Sequence, residues 1–212
     1  MKELNLNHVK ILAHSAIRID GSKVLYFDPF HLTEEPHDAD LIFITHDHFD
    51  HFSAEDVRKV LNEKTILVAP KSCRKTIEES GVTCLDRLVF LEPESRAVLL
   101  GVEVAAVRAY NLNKKFHPRE NDWLGYVVTM DGVSYYVAGD TDATPELLSV
   151  KADVALLPVG GTYTMTAEEA AEAALQMDVR TAVPTHFADI VGTSADGPRF
   201  TELYEEGKRK MG

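Results

Sequence analysis

The seven residues Thr45-His46-Asp47-His48-Phe49-Asp50-His51 restrict this chain more than any other stretch. They follow the apolar run Leu41-Ile42-Phe43-Ile44, short and β-branched enough to read as a buried strand. Three histidines and two aspartates then fall within six consecutive positions. Imidazole and carboxylate are the ligands that borderline divalent ions such as Zn²⁺ take, and a loop leaving a strand can turn several of them inward. A solvated polar loop is the plain alternative for a lone HxH. HxHxDH behind a buried strand has the spacing of a metal site.

The pattern of an apolar strand with a ligand-type residue at its carboxyl end recurs. Tyr135–Ala138 runs into Gly139-Asp140-Thr141, and Thr181–Pro184 into Thr185-His186. Singly, Gly-Asp is a common turn and a lone histidine is usually structural. Three such ends together point to one shared site, because ligand sites of layered α/β proteins gather where loops leave a rigid sheet.

Elsewhere the sequence alternates strands with short helices. His8–Ala13, Ser15–Asp20 and Lys23–Phe27 read as a meander, followed by a polar loop over His31–Asp40. Ser53 and Asp56 mark the start of a helix running to about Asn62, then come a strand over Thr65–Ala69 and a helix from about Ser72 to Ser80, stopped by Gly81. Arg87–Leu91 and Val98–Arg108 alternate as strands, with a turn at Gly101. Gly125–Met130 and Val133–Ala138 form a hairpin about Asp131-Gly132. A brief helix after Pro145, a strand over Val154–Leu157, a helix over Ala167–Met177 capped by Thr166 and Glu169, and a final helix over Phe200–Lys210 complete the reading. No linker or repeat divides the chain, so one domain over 1–212 is expected, with sheets covered by helices.

Composition excludes some partners. A formal net charge of −12 opposes a polyanion, since phosphate binding depends on clustered Lys and Arg, so nucleic acid is not expected. No apolar run approaches the ~20 residues of a membrane helix, and the first ten residues lack the apolar core of a signal peptide. Cys73 and Cys84 have neither CxxC spacing nor the density of a disulfide scaffold, and read as free thiols in a reducing, cytoplasmic setting.

The order Asp28-Pro29, Thr45–His51, Gly139-Asp140-Thr141 and Thr185-His186 resembles the metallo-β-lactamase superfamily. His14-Ser15-Ala16, Ala109-Tyr110-Asn111, His117-Pro118 and Gly160–Met165 narrow the resemblance to its short proteins described only as metal-dependent hydrolases. It covers roughly residues 8 to 190. The resemblance implies an α/β fold: an αββα sandwich, two mixed sheets flanked by helices, with a one- or two-metal site at one edge of the sheets.

Carried over by position, the resemblance makes His46 and His48 ligands of a first ion, and Asp50 and His51 ligands of a second. Asp140 would bridge the two and His186 would complete the second. Where many relatives place the third histidine of the first ion, this chain has Asn111; His117 is the nearest alternative imidazole. Asp28 and Asp47 read either as outer partners of a ligand histidine or as a turn and a solvent-facing residue. By resemblance His14 and Tyr163 line the pocket, while His8, His31 and His37 read as surface histidines.

The implied cofactor is one or two divalent ions, zinc first, with manganese or iron also compatible. The implied activity is a metal-dependent hydrolase that uses a metal-bound hydroxide on an ester, thioester, lactone, amide or phosphodiester of a small molecule, Asp50 and Asp140 serving in catalysis. A non-catalytic metal-binding or sensing module is the competing reading. The oligomeric state is not legible here.

Overall fold

The apolar runs form twelve strands in two six-stranded sheets across residues 5–82 and 87–211, which a computed structural model describes. In the first sheet β1 (Val9–Ala13), β2 (Ala16–Asp20) and β3 (Val24–Phe27) are antiparallel neighbours. Beyond β3 come β4 (Leu41–Phe43), β5 (Ile66–Pro70) and β6 (Leu88–Leu91), each parallel to the last. The second sheet begins with the antiparallel run β7 (Arg96–Leu99), β8 (Val102–Arg108), β9 (Leu124–Met130) and β10 (Val133–Val137). It ends with β11 (Lys151–Pro158) and β12 (Asp178–Thr185), parallel to β10. Both sheets are therefore mixed.

The sheets bury their inner faces against each other. Phe27 stacks on Phe43 with ring centroids 4.7 Å apart, and Tyr126 of the opposite sheet meets Phe43 at 5.2 Å. Helices α1 (Ala54–Val60) and α2 (Arg74–Glu79) pack on the outer face of the first sheet. Helices α3 (Pro145–Leu148), α4 (Ala167–Gln176) and α5 (Asp196–Met211) pack on the second. Five buried alanines let α4 lie close to its sheet, and Thr166 and Glu169 close the capping box expected of them. The result is the expected αββα sandwich.

Differences from the sequence reading are local. β11 and β12 extend past their apolar runs because parallel pairing, Lys151 opposite Asp178 onward, adds polar residues to the ladder. Pro184 fits because β12 is an edge strand and need not donate on its open side. The last helix starts at Asp196 rather than Phe200; Pro198 sits in its first turn, where no intrahelical donor is required. Lys71–Cys73 form a 3₁₀ turn ahead of α2. Cys73 is a buried free thiol whose pKa burial pushes up, while Cys84 lies outside the described residues. Among the described residues, no helix is long and apolar enough to cross a membrane.

Strand direction brings six segments to one end. β3 and β4 finish there, delivering Asp28 and Thr45–His51. β2 starts opposite the end of β3, Ile17 facing Phe27, which places His14 beside them. In the second sheet β10 and β12 finish at this end, and β9 starts opposite β10, Tyr126 facing Val137. The segment before β9 therefore meets Asp140 and His186. Leu124 N–H donates to the Thr45 carbonyl (3.0 Å) and Tyr126 Oη to that of Ile44 (2.7 Å), which ties the two sheets at this edge.

Gly139 makes the turn after β10. Its φ is +64°, and a Cβ there would lie 2.9 Å from Thr45 Cβ. Gly139→Ala should therefore cost roughly 3 kcal/mol from left-handed backbone and overpacking together, read as a lower thermal midpoint. An unchanged midpoint would show that the turn has slack.

Candidate metal centre

Asp28 organises the first side of the site. Its Oδ1 accepts the Thr45 N–H (2.7 Å), and its Oδ2 accepts both the Thr45 hydroxyl (2.6 Å) and His51 Nδ1–H (2.7 Å). A hydroxyl has one proton, so Thr45 Oγ1, having donated to Asp28, accepts from His46 Nδ1–H at 3.0 Å. One buried carboxylate thereby fixes the tautomers of both His46 and His51, leaving each Nε2 with its lone pair free. The free nitrogen of His46 stands 3.1 Å from His48 Nδ1.

The segment between β8 and β9 supplies the next donor. Asn111 Oδ1 accepts from the His117 backbone N–H (3.1 Å) and from His117 Nδ1–H (3.0 Å), again freeing Nε2. Asp142 anchors the segment by accepting from Leu112 N–H (2.9 Å) and Lys114 Nζ (2.6 Å). Trp123 packs on His46, His48 and His117, with ring centroids 4.7 to 5.6 Å away.

Asp140 stands between these groups. Its Oδ2 lies 3.2 Å from His117 Nε2 and 3.1 Å from His186 Nε2, and its Oδ1 lies 3.3 Å from His51 Nε2. Asp50 Oδ2 is 3.3 Å from His14 Nε2 and 3.7 Å from His186 Nε2. Two sets of mutually close donor atoms result: His46, His48 and His117, and His14, Asp50, His51 and His186. Asp140 forms a third with His46 and His51 and thus touches both.

These contacts suit a cation better than hydrogen bonds. The nitrogens of His51 and His117 facing Asp140 have their protons committed on the other side of the ring. His51 Nε2, His117 Nε2, His186 Nε2 and Asp140 Oδ1 are buried without a hydrogen-bond partner. Lone pairs facing a carboxylate repel unless a positive charge sits between them, and separations of 3.1 to 3.3 Å match the ~3.4 Å edge of a tetrahedral shell with ~2.1 Å bonds. The residues present therefore fit a metal ion.

Electrostatics agrees. Burial, reinforced by His51, holds His46 well below the ordinary imidazole pKa, and burial with His117 and His51 lowers His48. Both are neutral, the form that binds metal. Burial opposes charge on Asp140, yet His186 and His51 outweigh it and hold its carboxyl well below the usual range. Burial likewise opposes charge on His51, but Asp140 and Asp28 raise it well above ordinary imidazole, so that without an ion a proton on Nε2 supplies the positive charge that a bound metal would otherwise bring. The cavity calls for positive charge.

Backbone strain concentrates at the same place. His14, Asp28 and His186 adopt left-handed φ of +47°, +44° and +58°. Each costs of order 1–3 kcal/mol and persists only because its surroundings hold it. The His186 N–H donates to the His14 carbonyl at 3.0 Å, tying two of the three together. Asp28→Asn, which replaces an acceptor oxygen with a donor amide, should weaken metal binding about 10–100-fold by freeing both tautomers. Competition against a calibrated chelator measures it, and an unchanged affinity would reduce Asp28 to a structural residue.

Residues 18–187 match the model of the β-lactamase superfamily domain. A metal-dependent hydrolase of the UPF0173 group from Pyrococcus abyssi is 34% identical over 212 residues, covering 92% of this chain and 91% of that protein. The chain belongs to the metallo-β-lactamase superfamily. A second metal-dependent hydrolase, from Thermococcus onnurineus, is 32% identical over 209 residues, covering 92% of this chain and 91% of its own length. Among solved structures, a protein of Parabacteroides distasonis provisionally named a metal-dependent hydrolase superposes with a TM-score of 0.77. It is 28% identical, over 94% of this chain and 89% of that one.

Against the superfamily pattern, the structure brings His46, His48, Asp50, His51, His117, Asp140 and His186 together. Asn111 sits behind His117 rather than among the donors. His14, expected on the pocket wall, stands within the second donor set. Tyr163 is half-buried, its carbonyl accepting from Asn111 Nδ2 at 2.9 Å. Asp47 accepts from the Thr76 hydroxyl (2.6 Å) and orients no histidine. His31 and His37 are exposed, whereas His8 is half-buried against the Tyr135 hydroxyl at 2.6 Å. Sequence reasoning gave Thr45 no role of its own and passed over Trp123 and Asp142. Thr45 was legible as the residue ending a strand beside Asp28; the other two carry no local signal.

Proposed function

We propose that this protein is a metal-dependent hydrolase of small molecules, with a site for two ions. The observation that carries this reading is Asp140, a buried carboxylate faced by imidazole nitrogens from both donor sets. His46, His48 and His117 would hold one ion, and Asp50, His51 and His186 the other, with His14 as a further donor. Asp140 would span the pair. The imidazole-rich set suits zinc, and the carboxylates admit manganese or iron. When bound, such ions supply a nucleophile by lowering the pKa of water toward neutrality, and they polarise the oxygen of the scissile group.

The chain's own residues do the rest. Asp28 and Thr45 hold the His46 and His51 rings in the tautomers that leave Nε2 free. Asn111 does the same for His117. Asp50 orients the attacking water through its carboxylate. Hydrolysis adds that water across the scissile bond, hydroxyl to the acyl carbon or phosphorus and proton to the leaving atom. Ester, thioester, lactone, amide and phosphodiester substrates all fit this scheme, while the net charge of −12 favours a small molecule over nucleic acid.

Trp123 is the only tryptophan in the chain, and it packs against three of the histidines. Titrating metal-stripped protein with zinc should change its fluorescence, saturating near two ions per chain by elemental analysis. Folded protein with no bound ion would sink the metal reading. Full loading with no turnover on ester, lactone, thioester, amide and phosphodiester panels would assign a binding or sensing role instead.

A further inference from the structure

Two aromatic walls lead from the donor cluster to the surface. On one side Phe30 lies edge-on to His14, ring centroids 6.3 Å apart, and to Phe49 at 6.1 Å. It also stacks on His31 at 3.8 Å. His31 Nδ1 bonds the Asp189 carboxylate at 2.8 Å, and the exposed Ile190 follows Asp189 in the chain. On the other side Phe116 meets the Tyr163 ring edge-on at 4.7 Å. Asn111 joins this wall to His117, donating to the Tyr163 carbonyl and accepting from the His117 ring, and Leu112 follows it. One wall thus ends on the His14 half of the donor cluster and the other on the His117 half.

The walls are apolar and open. Phe49 is 67% exposed, Leu112 51%, Ile190 41% and Phe116 39%. Single exposed apolar side chains are ordinary, but a set rimming a polar centre marks ligand contact. On the walls Lys114 is neutralised by Asp142, and His31 is hydrogen-bonded to Asp189. Among the described residues Lys115 is left without an ion pair, one charge against four exposed apolar groups.

We propose that the cleft between these walls takes the hydrocarbon tail of an uncharged acyl substrate, a carboxylic ester or lactone with a medium-length alkyl chain. The walls end on the donors, so a ligand seated between them would meet the reacting centre. A protein partner capping the rim does not. The tail leaves water between the walls while its acyl carbonyl meets the donors. This assignment rests on the hydrolytic reading above.

The test is calorimetric titration of the zinc-loaded protein with acetate, butyrate, hexanoate and octanoate. Each methylene should tighten binding about twofold, half the free-energy gain of full burial, so octanoate should bind about sixtyfold tighter than acetate. Phe49→Ser and Phe116→Ser should each cut that ratio several-fold, with zinc content measured on the same samples. If Phe49→Ser loses zinc, Phe116→Ser decides alone. Equal affinity for acetate and octanoate overturns the assignment, as does an unchanged ratio in the variants. So does a dimer that either variant dissociates with no chain-length effect in the native protein, because the walls then belong to a second copy.

Turnover of p-nitrophenyl acetate and octanoate is read separately. Hydrolysis with no chain-length gradient in binding or turnover overturns the tail assignment and leaves the hydrolytic reading standing. A binding gradient with no hydrolysis supports the cleft and overturns the hydrolytic reading.

Discussion

On the two-ion proposal, Asp140→Ala should reduce the metal content of the protein from two ions per chain toward one. Asp50 and Asp140 are the carboxylates among the donor sets, and two adjacent dications need both to offset their repulsion. With Asp140 gone, the set that keeps a carboxylate, His14, Asp50, His51 and His186, should retain its ion. The other set, left with three imidazoles and no carboxylate, should release its ion. Turnover on any substrate found by screening should fall on the order of a thousandfold, since a preorganised charge at the reacting centre is lost. The sheets do not depend on this side chain, so the fold should survive. Two retained ions with near-native turnover would make Asp140 an ordinary turn residue.

The second large effect is a ranking. His117→Ala removes a donor and leaves His46 and His48 as a two-point site that cannot close around an ion. Asn111→Ala leaves the donor but frees its ring, because Asn111 Oδ1 no longer accepts from Nδ1. The outer change should cost about 10–100-fold in metal affinity, and the His117 change distinctly more. Trp123 fluorescence during zinc titration reads both variants at the donor set itself. The reverse order would move His117 out to the pocket wall and make Asn111 the direct ligand.

What the sequence disclosed followed from locality. The loop after β4 holds its donors within six positions, so spacing alone announced them, and the Gly139-Asp140 and Thr185-His186 strand ends repeated its logic. Asp131-Gly132 marked its hairpin because both residues need positive φ, which they adopt at +53° and +77°. His14 was harder. It sits in the two-residue turn between β1 and β2, and its nearness to His186 arises only when the two sheets close on each other. Asn111 and His117 lie on an irregular segment held by Asp142 and Trp123, where no periodicity says which side chain points inward. The full lengths of β11 and β12 were hidden for another reason: their outer residues are polar and stay in the ladder through pairing rather than burial.

The backbone bond from His186 to the His14 carbonyl has a consequence for biosynthesis. His14 leaves the ribosome before the other donors and His186 after them. The early strands can pair as they emerge, since β1 through β6 are neighbours in sequence order. The cavity cannot close until β12 has been made and has delivered His186 to its partner. A nascent or truncated chain ending before that point presents loose histidines and a strained turn with nothing to hold it. A complete donor set, and with it tight capture of the proposed ions, would therefore wait for a chain that already includes β12.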